Sequence, residues 1–360
     1  MDITKTSDLW EYLAKERRPI ALYGTGDGAD KIIAVLEKYG LKDLIAAVFA
    51  SDGFVRDRMF RGYKVISYDE CCKTLPEDFI VLVCFGSSRP EVLAFVDKIA
   101  SERELYVPDV PVYGNVLFSR EYFESNIDKI EEIYSLFADE KSRDCYENYI
   151  NYKLTGDIGF LSSAESDPDD EFALLKGISS GCFIDLGAYY GDTIKRYTEK
   201  FSCLNPAIAV EPEKHSFDKL SKYAASVADL RSIICINALV GSVVGTTEIS
   251  ASGGRGTRAV SNSNVELKNT RKIDVITVDS LSLDNVSFIK FDVEGSECEA
   301  IEGARSTILK SRPVMKIACY HRSEDVFAIV QKVMSVRSDY KIYMRHTRCI
   351  PGWDTDFYFV

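Results

Sequence analysis

Near the middle of the chain, a short apolar run ends in an acid and two glycines. The run is Cys182-Phe-Ile-Asp-Leu-Gly-Ala-Tyr-Tyr-Gly-Asp192, in which Asp185, Gly187 and Gly191 are suited to chemistry. A strand that ends in a glycine turn lets the backbone approach a bound nucleoside closely. The carboxylate of Asp185 is placed to anchor an ammonium group, directly or through water. Asp192 and Thr193 open a helix-like segment and complete this candidate binding segment.

A second apolar run, about 20 residues further on, also ends in an acid. It places Glu211 at the tip of the second strand of a βαβ unit, where a carboxylate accepts both hydroxyls of an adenosine ribose. Asn237 and Ala238 close the third run, where an adenine ring is expected to rest. Because the first turn lacks the GxGxxG pattern that holds a pyrophosphate, these residues predict a cofactor such as S-adenosylmethionine. Ordinary strand-end turns in a domain without a nucleotide are the alternative.

Several motifs in the C-terminal half, taken in order, resemble the FkbM family of S-adenosylmethionine-dependent O-methyltransferases. The most specific motif is Phe288-Ile-Lys-Phe-Asp-Val-Glu-Gly-Ser-Glu297. The others are Asp185–Thr193, Ala209-Val-Glu-Pro212, Asn237-Ala-Leu239, Thr277-Val-Asp-Ser-Leu281 and Gly303-Ala304. The resemblance covers about half of the chain and implies methyl transfer to a hydroxyl, commonly on a sugar or a secondary metabolite. A noncatalytic nucleotide-binding regulatory protein and an N-methyltransferase of a small metabolite stay open as alternatives.

Asp292 and His321 are the two candidate catalytic residues. Asp292 closes the fourth strand of the C-terminal half, at the carboxyl edge where open α/β sheets bind ligands, and is expected to border cofactor and acceptor alike. His321 stands just past the fifth strand, where a neutral imidazole would take the proton of an alcohol acceptor. The alternative for His321 is a partly exposed loop histidine that caps the next helix.

No metal is expected at this edge of the sheet. Asp292, Glu294 and His321 could supply ligands for Mg²⁺ or Mn²⁺, but positioning and a base suffice for many O-methyltransferases. Glu297 is explained by the preference for acids in the first turn of a helix.

A second glycine pattern lies near the start of the chain. Gly24-Thr-Gly-Asp-Gly-Ala29 matches GxGxxA between an apolar run and a helical segment, and Asp52 is placed as a ribose acid. The pattern resembles the Rossmann-like domains of sugar-modifying enzymes. The alternative is a degenerate domain in which the glycines serve only tight packing.

The alternation of apolar and amphipathic stretches predicts an α/β protein. We expect a small Rossmann-like α/β domain over residues 1–114, a helical linker over 115–171 and a class I methyltransferase domain over 172–360. In the linker we predict one or two helices over Ser119–Thr155 and a loop over Ser162–Asp170. The larger domain has seven predicted strands and ends in an antiparallel hairpin. These strands are Phe183–Leu186, Ala207–Val210, Ile233–Asn237, Phe288–Asp292, Val314–Cys319, Tyr340–Met344 and Phe357–Val360.

One insertion between the third and fourth of these strands is glycine-rich and basic. It is Ser252-Gly-Gly-Arg-Gly-Thr-Arg258, which is either a lid over the acceptor or a solvated loop.

The composition excludes several classes of function. A formal net charge of −12 over 360 residues disfavours nucleic acid and anionic membrane surfaces as partners. No apolar run approaches the ~20 residues that span a bilayer. The ten cysteines contain no CxxC pair, which fits a reducing cytoplasm and argues against zinc. We therefore expect a cytoplasmic enzyme whose partner is a small-molecule or saccharide acceptor, with a homo-oligomer possible.

Overall fold

The protein contains two large β-sheets flanked by helices, one in the N-terminal and one in the C-terminal part of the chain. The structure is a computed structural model that describes residues 1–4, 7–51, 53–55, 58–250 and 270–360. Asp52 and the segment 252–258 lie outside these residues. A six-stranded N-terminal sheet and a seven-stranded C-terminal sheet confirm the predicted fold class.

The N-terminal sheet is parallel except at one edge. Its strand order is β3-β4-β2-β1-β5-β6, and only β3 and β4 pair antiparallel. The central strands β1 and β5 are apolar and buried at every position, as expected for parallel strands covered on both faces. The strands are β1 Ile20–Tyr23, β2 Ile45–Phe49, β3 Met59–Phe60, β4 Tyr63–Ile66, β5 Ile80–Val83 and β6 Leu105–Tyr106. The helices are α1 Leu9–Leu13, α2 Asp27–Lys38, α3 Tyr68–Thr74 and α4 Pro90–Glu102.

Five helices join the two sheets. They are α5 Arg120–Ser125, α6 Ile127–Leu136, α7 Glu140–Thr155, α8 Ile158–Ala164 and α9 Pro168–Leu174. The prediction of one or two helices over Ser119–Thr155 is wrong, because three form there. The predicted loop Ser162–Asp170 is also largely wrong, since it contains the end of α8 and the start of α9. Asp157 and Asp167 accept hydrogen bonds from the first turns of α8 and α9, so these polar residues begin helices.

The C-terminal sheet has the order β15-β16-β14-β13-β7-β8-β9. β16 is antiparallel to both β14 and β15, and the other neighbours are parallel. The terminal antiparallel hairpin is thus confirmed. The strands of this sheet are β7 Gly181–Leu186, β8 Leu204–Val210, β9 Ile233–Ile236, β13 Val286–Phe291, β14 Val314–Ala318, β15 Ile342–His346 and β16 Thr355–Phe359.

A small three-stranded sheet, which the sequence did not predict, lies between β9 and β13 in the chain. Its order is β10-β12-β11, with β10 Leu239–Val240, β11 Gly245–Ser250 and β12 Thr270–Ile276. The helices of this half are α10 Asp192–Lys200, α11 Lys214–Ser226, α12 Glu297–Glu302, α13 Arg305–Ser311 and α14 Asp325–Val336. In the described part of the chain, no helix has the length and apolar character that a membrane crossing requires.

Candidate active site

The glycine turn after β7 is held against the ends of two neighbouring strands. Gly187 has a φ of +87°, and its N–H donates to the carbonyl of Val210 at 2.9 Å. A Cβ at Gly187 would overlap the carbonyl oxygen of Asp292, so only glycine fits this close approach. Gly191, with a φ of +89°, precedes α10. The turn brings Gly187, Asp192 and Thr193 to the wall of one cleft.

Asp185 is a fully buried carboxylate just below this turn. It lies opposite Lys290 in the register of β7 and β13, and the ammonium is 3.4 Å from its Oδ1. Neither oxygen of Asp185 has a hydrogen-bond partner among the described residues. Burial raises the pKa of Asp185, and the charge of Lys290 opposes that effect. A buried carboxylate that has an ion pair with Lys290 but no hydrogen bond to the described residues is costly in the interior, and a cationic ligand group would stabilise it further.

Lys290 links the turn to Asp292 and was missed at the sequence level. Its Nζ donates to the carbonyl of Gly187 at 3.1 Å and lies 3.1 Å from Oδ2 of Asp292. Burial lowers its pKa, but Asp185 and Asp292 reverse that effect and raise it above the ordinary value. The feature of the sequence that could have revealed Lys290 is its position inside the apolar run of β13.

Glu211 stands at the tip of β8 with its carboxylate fixed by backbone donors. Its Oε2 accepts from the N–H of Tyr189 at 2.9 Å, and its Oε1 accepts from the N–H of Glu213 at 2.7 Å. Burial raises the pKa of Glu211 to about 7, although these two hydrogen bonds act in the opposite direction. Each carboxylate oxygen keeps a further acceptor site toward the cleft that Glu211 lines.

Asn237 and Ala238 follow β9, and only Ala238 of the two lines the cleft. The side-chain amide of Asn237 donates to the carbonyls of Glu211 and Pro212, at 2.8 and 3.0 Å. It therefore fixes the loop after β8. Ala238 is buried and lines the cleft directly.

Asp292 and His321 are neighbours, and only Asp292 is open to solvent. His321 Nε2 is 3.5 Å from Oδ1 of Asp292, and the two side chains are 1% and 30% exposed. Tyr320 also donates to Oδ1 of Asp292, at 3.1 Å. Burial lowers the pKa of His321, but Glu297 and the other nearby carboxylates raise it to about 10. Burial raises the pKa of Asp292, but Lys290 and His321 lower it to about 2.

A second buried ion pair extends the floor of the cleft. Lys316 on β14 lies 3.2 Å from Oδ2 of Asp356 on β16 and 2.8 Å from Oε1 of Glu171 on α9. Burial raises the pKa of Asp356 to about 6, against the charge of Lys316. The sequence signal was again a charge inside an apolar strand.

The cleft lies between the two sheets and has a volume of about 1670 Å³. Gly26, Gly28, Lys31 and Arg89 line it from the N-terminal part of the chain. Trp353, in the final hairpin, packs on Gly86 across the cleft. This volume exceeds the ~300–1,000 Å³ of ordinary ligand pockets and leaves room for two ligands.

Gly24 and Gly28, two of the three glycines of the N-terminal pattern, serve close packing. A Cβ at Gly28 would overlap the carbonyl oxygen of Cys84, and one at Gly24 would lie 2.8 Å from the ring of Phe85. These contacts account for both glycines, while nucleotide binding by this sheet stays a prediction.

The C-terminal part of the chain matches a known family. The match is to the family model described as the methyltransferase FkbM domain and covers residues 185–341, from the acid of the glycine turn to the start of the last hairpin. Residues 185–341 are thus similar to an FkbM methyltransferase domain. This match supports a methyltransferase function. No curated protein matches the sequence.

Solved structures extend the likeness beyond the FkbM domain. Methyltransferase FkbM from Methylobacillus flagellatus KT is similar over 98% of this chain and 92% of the other, with 20% identity and a TM-score of 0.73. At this identity the likeness shows a shared fold, which includes the N-terminal sheet. Precorrin-6y C5,15-methyltransferase from Geobacter metallireducens GS-15 has 12% identity and a TM-score of 0.32, with coverages of 52% and 81%. Fibrillarin from Aeropyrum pernix, with natively bound S-adenosyl-L-methionine, has 14% identity, a TM-score of 0.30 and coverages of 53% and 74%.

Proposed function

We propose that the protein transfers a methyl group from S-adenosylmethionine to a hydroxyl of a saccharide or a sugar-derived metabolite. The observation that carries the proposal is Asp185, whose fully buried carboxylate is paired with Lys290 but accepts no hydrogen bond from the described residues. The glycine turn beside it opens on the cleft. We also propose a cytoplasmic location, because all ten cysteines are free thiols, as in a reducing compartment.

The residues around the turn fit this cofactor. Asp185 offers a counter-charge to the ammonium of its methionine part, and Gly187 allows the backbone to approach closely. Glu211 offers acceptor sites to the two ribose hydroxyls, and Ala238 offers a small apolar surface to the adenine. S-adenosylmethionine supplies an electrophilic methyl group on a sulfonium centre.

On the acceptor side, Asp292 is the proton acceptor that the geometry favours. Its carboxylate faces the cleft, whereas His321 lies behind it at 1% exposure and reaches it through Nε2. We therefore assign the acceptor hydroxyl to Asp292 and a positioning role to His321. The aromatic rings of Tyr113 and Trp353 line the same cleft. The cleft therefore offers apolar ring faces and carboxylates that accept hydrogen bonds from hydroxyls, a combination that suits a sugar.

The first test is donor binding to the whole chain by titration calorimetry. We expect one S-adenosylmethionine per chain, and we expect Asp185→Asn to weaken its affinity roughly 10- to 100-fold, the size of a lost charge-assisted interaction. Asp284→Asn is the control for the same chemical change, because Asp284 is 93% exposed and, among the described residues, forms an ion pair with Lys310 only. Absence of donor binding by the folded wild-type chain would overturn the proposal.

The second test is transfer of a labelled methyl group to a panel of free and nucleotide-linked sugars. On the sugar that reacts, Asp292→Asn should lower turnover by roughly 10²- to 10⁴-fold, the usual contribution of a general base. Donor affinity should change less, since Asn keeps the volume of the side chain. If only amines accept the label, the protein is an N-methyltransferase. If donor binds but nothing is methylated, the regulatory alternative gains support.

A further inference from the structure

The side of His321 that faces away from Asp292 meets two buried acids. Glu297 is the first residue of α12 and Asp325 is the first residue of α14. Glu297, His321 and Asp325 are 1%, 1% and 2% exposed, and one ligand atom from each lies within 4.8 Å of the other two. One nitrogen and two carboxylates therefore converge in the interior.

The backbone holds one oxygen of each acid in place. Glu297 Oε1 accepts from the N–H of Val293 at 3.0 Å and from that of Gly295 at 3.3 Å. Asp325 Oδ2 accepts from the N–H of Arg322 at 2.7 Å. Both carboxylates are thus oriented before any ligand binds.

The opposite atoms of the cluster are left unsatisfied. Glu297 Oε2 and His321 Nδ1 are fully buried and make no hydrogen bond to any described residue, although Nδ1 lies 2.9 Å from Glu297 Oε1. A buried carboxylate oxygen without a hydrogen-bond partner destabilises the folded protein, and a bound cation would remove that destabilisation.

The acidic groups around the imidazole of His321 also favour a bound cation. Nε2 of His321 lies 3.5 Å from Asp292 and 3.8 Å from Glu294, so acids surround both ends of the ring. A metal-bound histidine commonly donates its other N–H to a carboxylate, which fixes the ring. A divalent ion displaces a proton from the imidazole when it binds. The ion, the two carboxylates and the neutral imidazole then form a site without net charge.

We propose that Glu297, His321 and Asp325 bind a divalent transition-metal ion such as Zn²⁺ or Mn²⁺. Mixed imidazole and carboxylate ligands suit these ions better than Mg²⁺. The ion ties the turn after β13 to the turn after β14, and through His321 it fixes Asp292 at the cleft. This proposal departs from the expected absence of a metal, and its ligand set differs from Asp292, Glu294 and His321.

The test is the metal content of the tag-free chain after loading with Zn²⁺ or Mn²⁺ and gel filtration. Wild type should retain about one ion per chain, with a raised Tm that falls on adding a chelator. Glu297→Gln and Asp325→Asn should retain little metal and lose the chelator effect, since each removes one anionic ligand and keeps an oxygen for the backbone donors. Asp279→Asn is the control, because Asp279 also accepts N–H groups at a helix start, from Ser306 and Thr307.

Wild-type chain that retains neither ion and shows no shift in Tm would overturn the proposal, whether or not the variants fold. Equal metal retention in wild type and both variants would also overturn it. Neither readout depends on S-adenosylmethionine, so the metal site and the methyl donor can fail separately.

Discussion

At the residue scale, the candidate site is built from charges inside otherwise apolar strands. The acids could be predicted from the sequence, because the carboxyl ends of parallel strands meet at one edge of a sheet. Lys290 could not, since its role depends on the register that sets it opposite Asp185. A sequence reveals that a charge is buried in a strand, but its partner lies on another strand far along the chain.

His321 shows a second limit at this scale. Its position past β14 placed it correctly at the edge that carries Asp292, within 3.5 Å of that side chain. Which of the two neighbours faces the cleft depends on how the turns after β13 and β14 pack together. The role of His321 as general base stays a prediction, and its burial is the reason that we propose Asp292 in its place.

The raised pKa of Glu211 predicts a pH dependence of donor affinity. Burial raises this pKa to about 7. The ionised form is the better acceptor for ribose hydroxyls, and it is the main form only above that pH. Affinity should therefore weaken as the pH falls from about 8 to about 6, by up to about tenfold per unit below the pKa. Calorimetry across this range measures the effect.

The matched variant for this prediction is Glu211→Gln, which keeps the shape and an acceptor oxygen but does not titrate. Its affinity for S-adenosylmethionine should be lower than that of wild type at about pH 8, and it should change little as the pH falls further. Parallel pH profiles for variant and wild type would show that Glu211 does not contact the ribose in its ionised form.

At the element scale, strands were easier to predict than helix ends. The apolar runs gave the principal strands of both sheets, because buried parallel strands are continuously apolar. The linker helices were merged because no glycine or proline separates them. Their ends are marked by helix caps: Ser119 accepts from Tyr122 before α5, and Asp139 accepts from Ser142 before α7. Such residues are typical of loops as well, so composition alone does not separate a loop from a helix start.

The segment from Glu297 to Leu309 shows why some element ends need the tertiary structure. It forms two helices, α12 and α13, which meet at Gly303 and Ala304. The carboxylate of Asp279 accepts the N–H groups of Ser306 and Thr307, each at 2.8 Å. A cap supplied by a residue far upstream has no local signature in the sequence.

At the scale of the whole molecule, the linker helices contact the C-terminal sheet. The N–H of Ala138 donates to the carbonyl of Ile342 and that of Ser166 donates to His346, both at 2.9 Å. These contacts cover β15, the edge strand of the sheet, which would otherwise present unpaired backbone groups. Glu171 on α9 is tied to Lys316 of the same sheet. We therefore propose that the predicted boundary between linker and methyltransferase domain falls inside one packed unit.

The hydrophobic core also includes the linker helices, which leads to a prediction for the thermal unfolding of fragments of the chain. Tyr146, Tyr149 and Tyr152 of α7 are fully buried, in one hydrophobic cluster with residues of both sheets, among them Ile342 and Phe357 of the C-terminal sheet. Burial of a large apolar side chain contributes about 1.5–3 kcal/mol, so three such residues approach the ~5–15 kcal/mol by which a domain is stable. We expect a fragment of residues 172–360 to lack a cooperative thermal transition. A fragment of residues 115–360 should keep one, below the Tm of the whole chain, since it loses the contacts with the N-terminal sheet.

Near-ultraviolet circular dichroism and calorimetry of the three chains measure this difference. Near-ultraviolet circular dichroism reports the fixed packing of tyrosines, which the shorter fragment should lack and the longer one should keep. The full chain with Tyr146→Phe serves as a control for the α7 contact, because it loses only the 3.1 Å hydrogen bond to the carbonyl of Val326. Its expected cost is about 1 kcal/mol. If residues 172–360 unfolded cooperatively near the Tm of the whole chain, α5 to α9 would be a separable linker after all, and the boundary at residue 171 would stand.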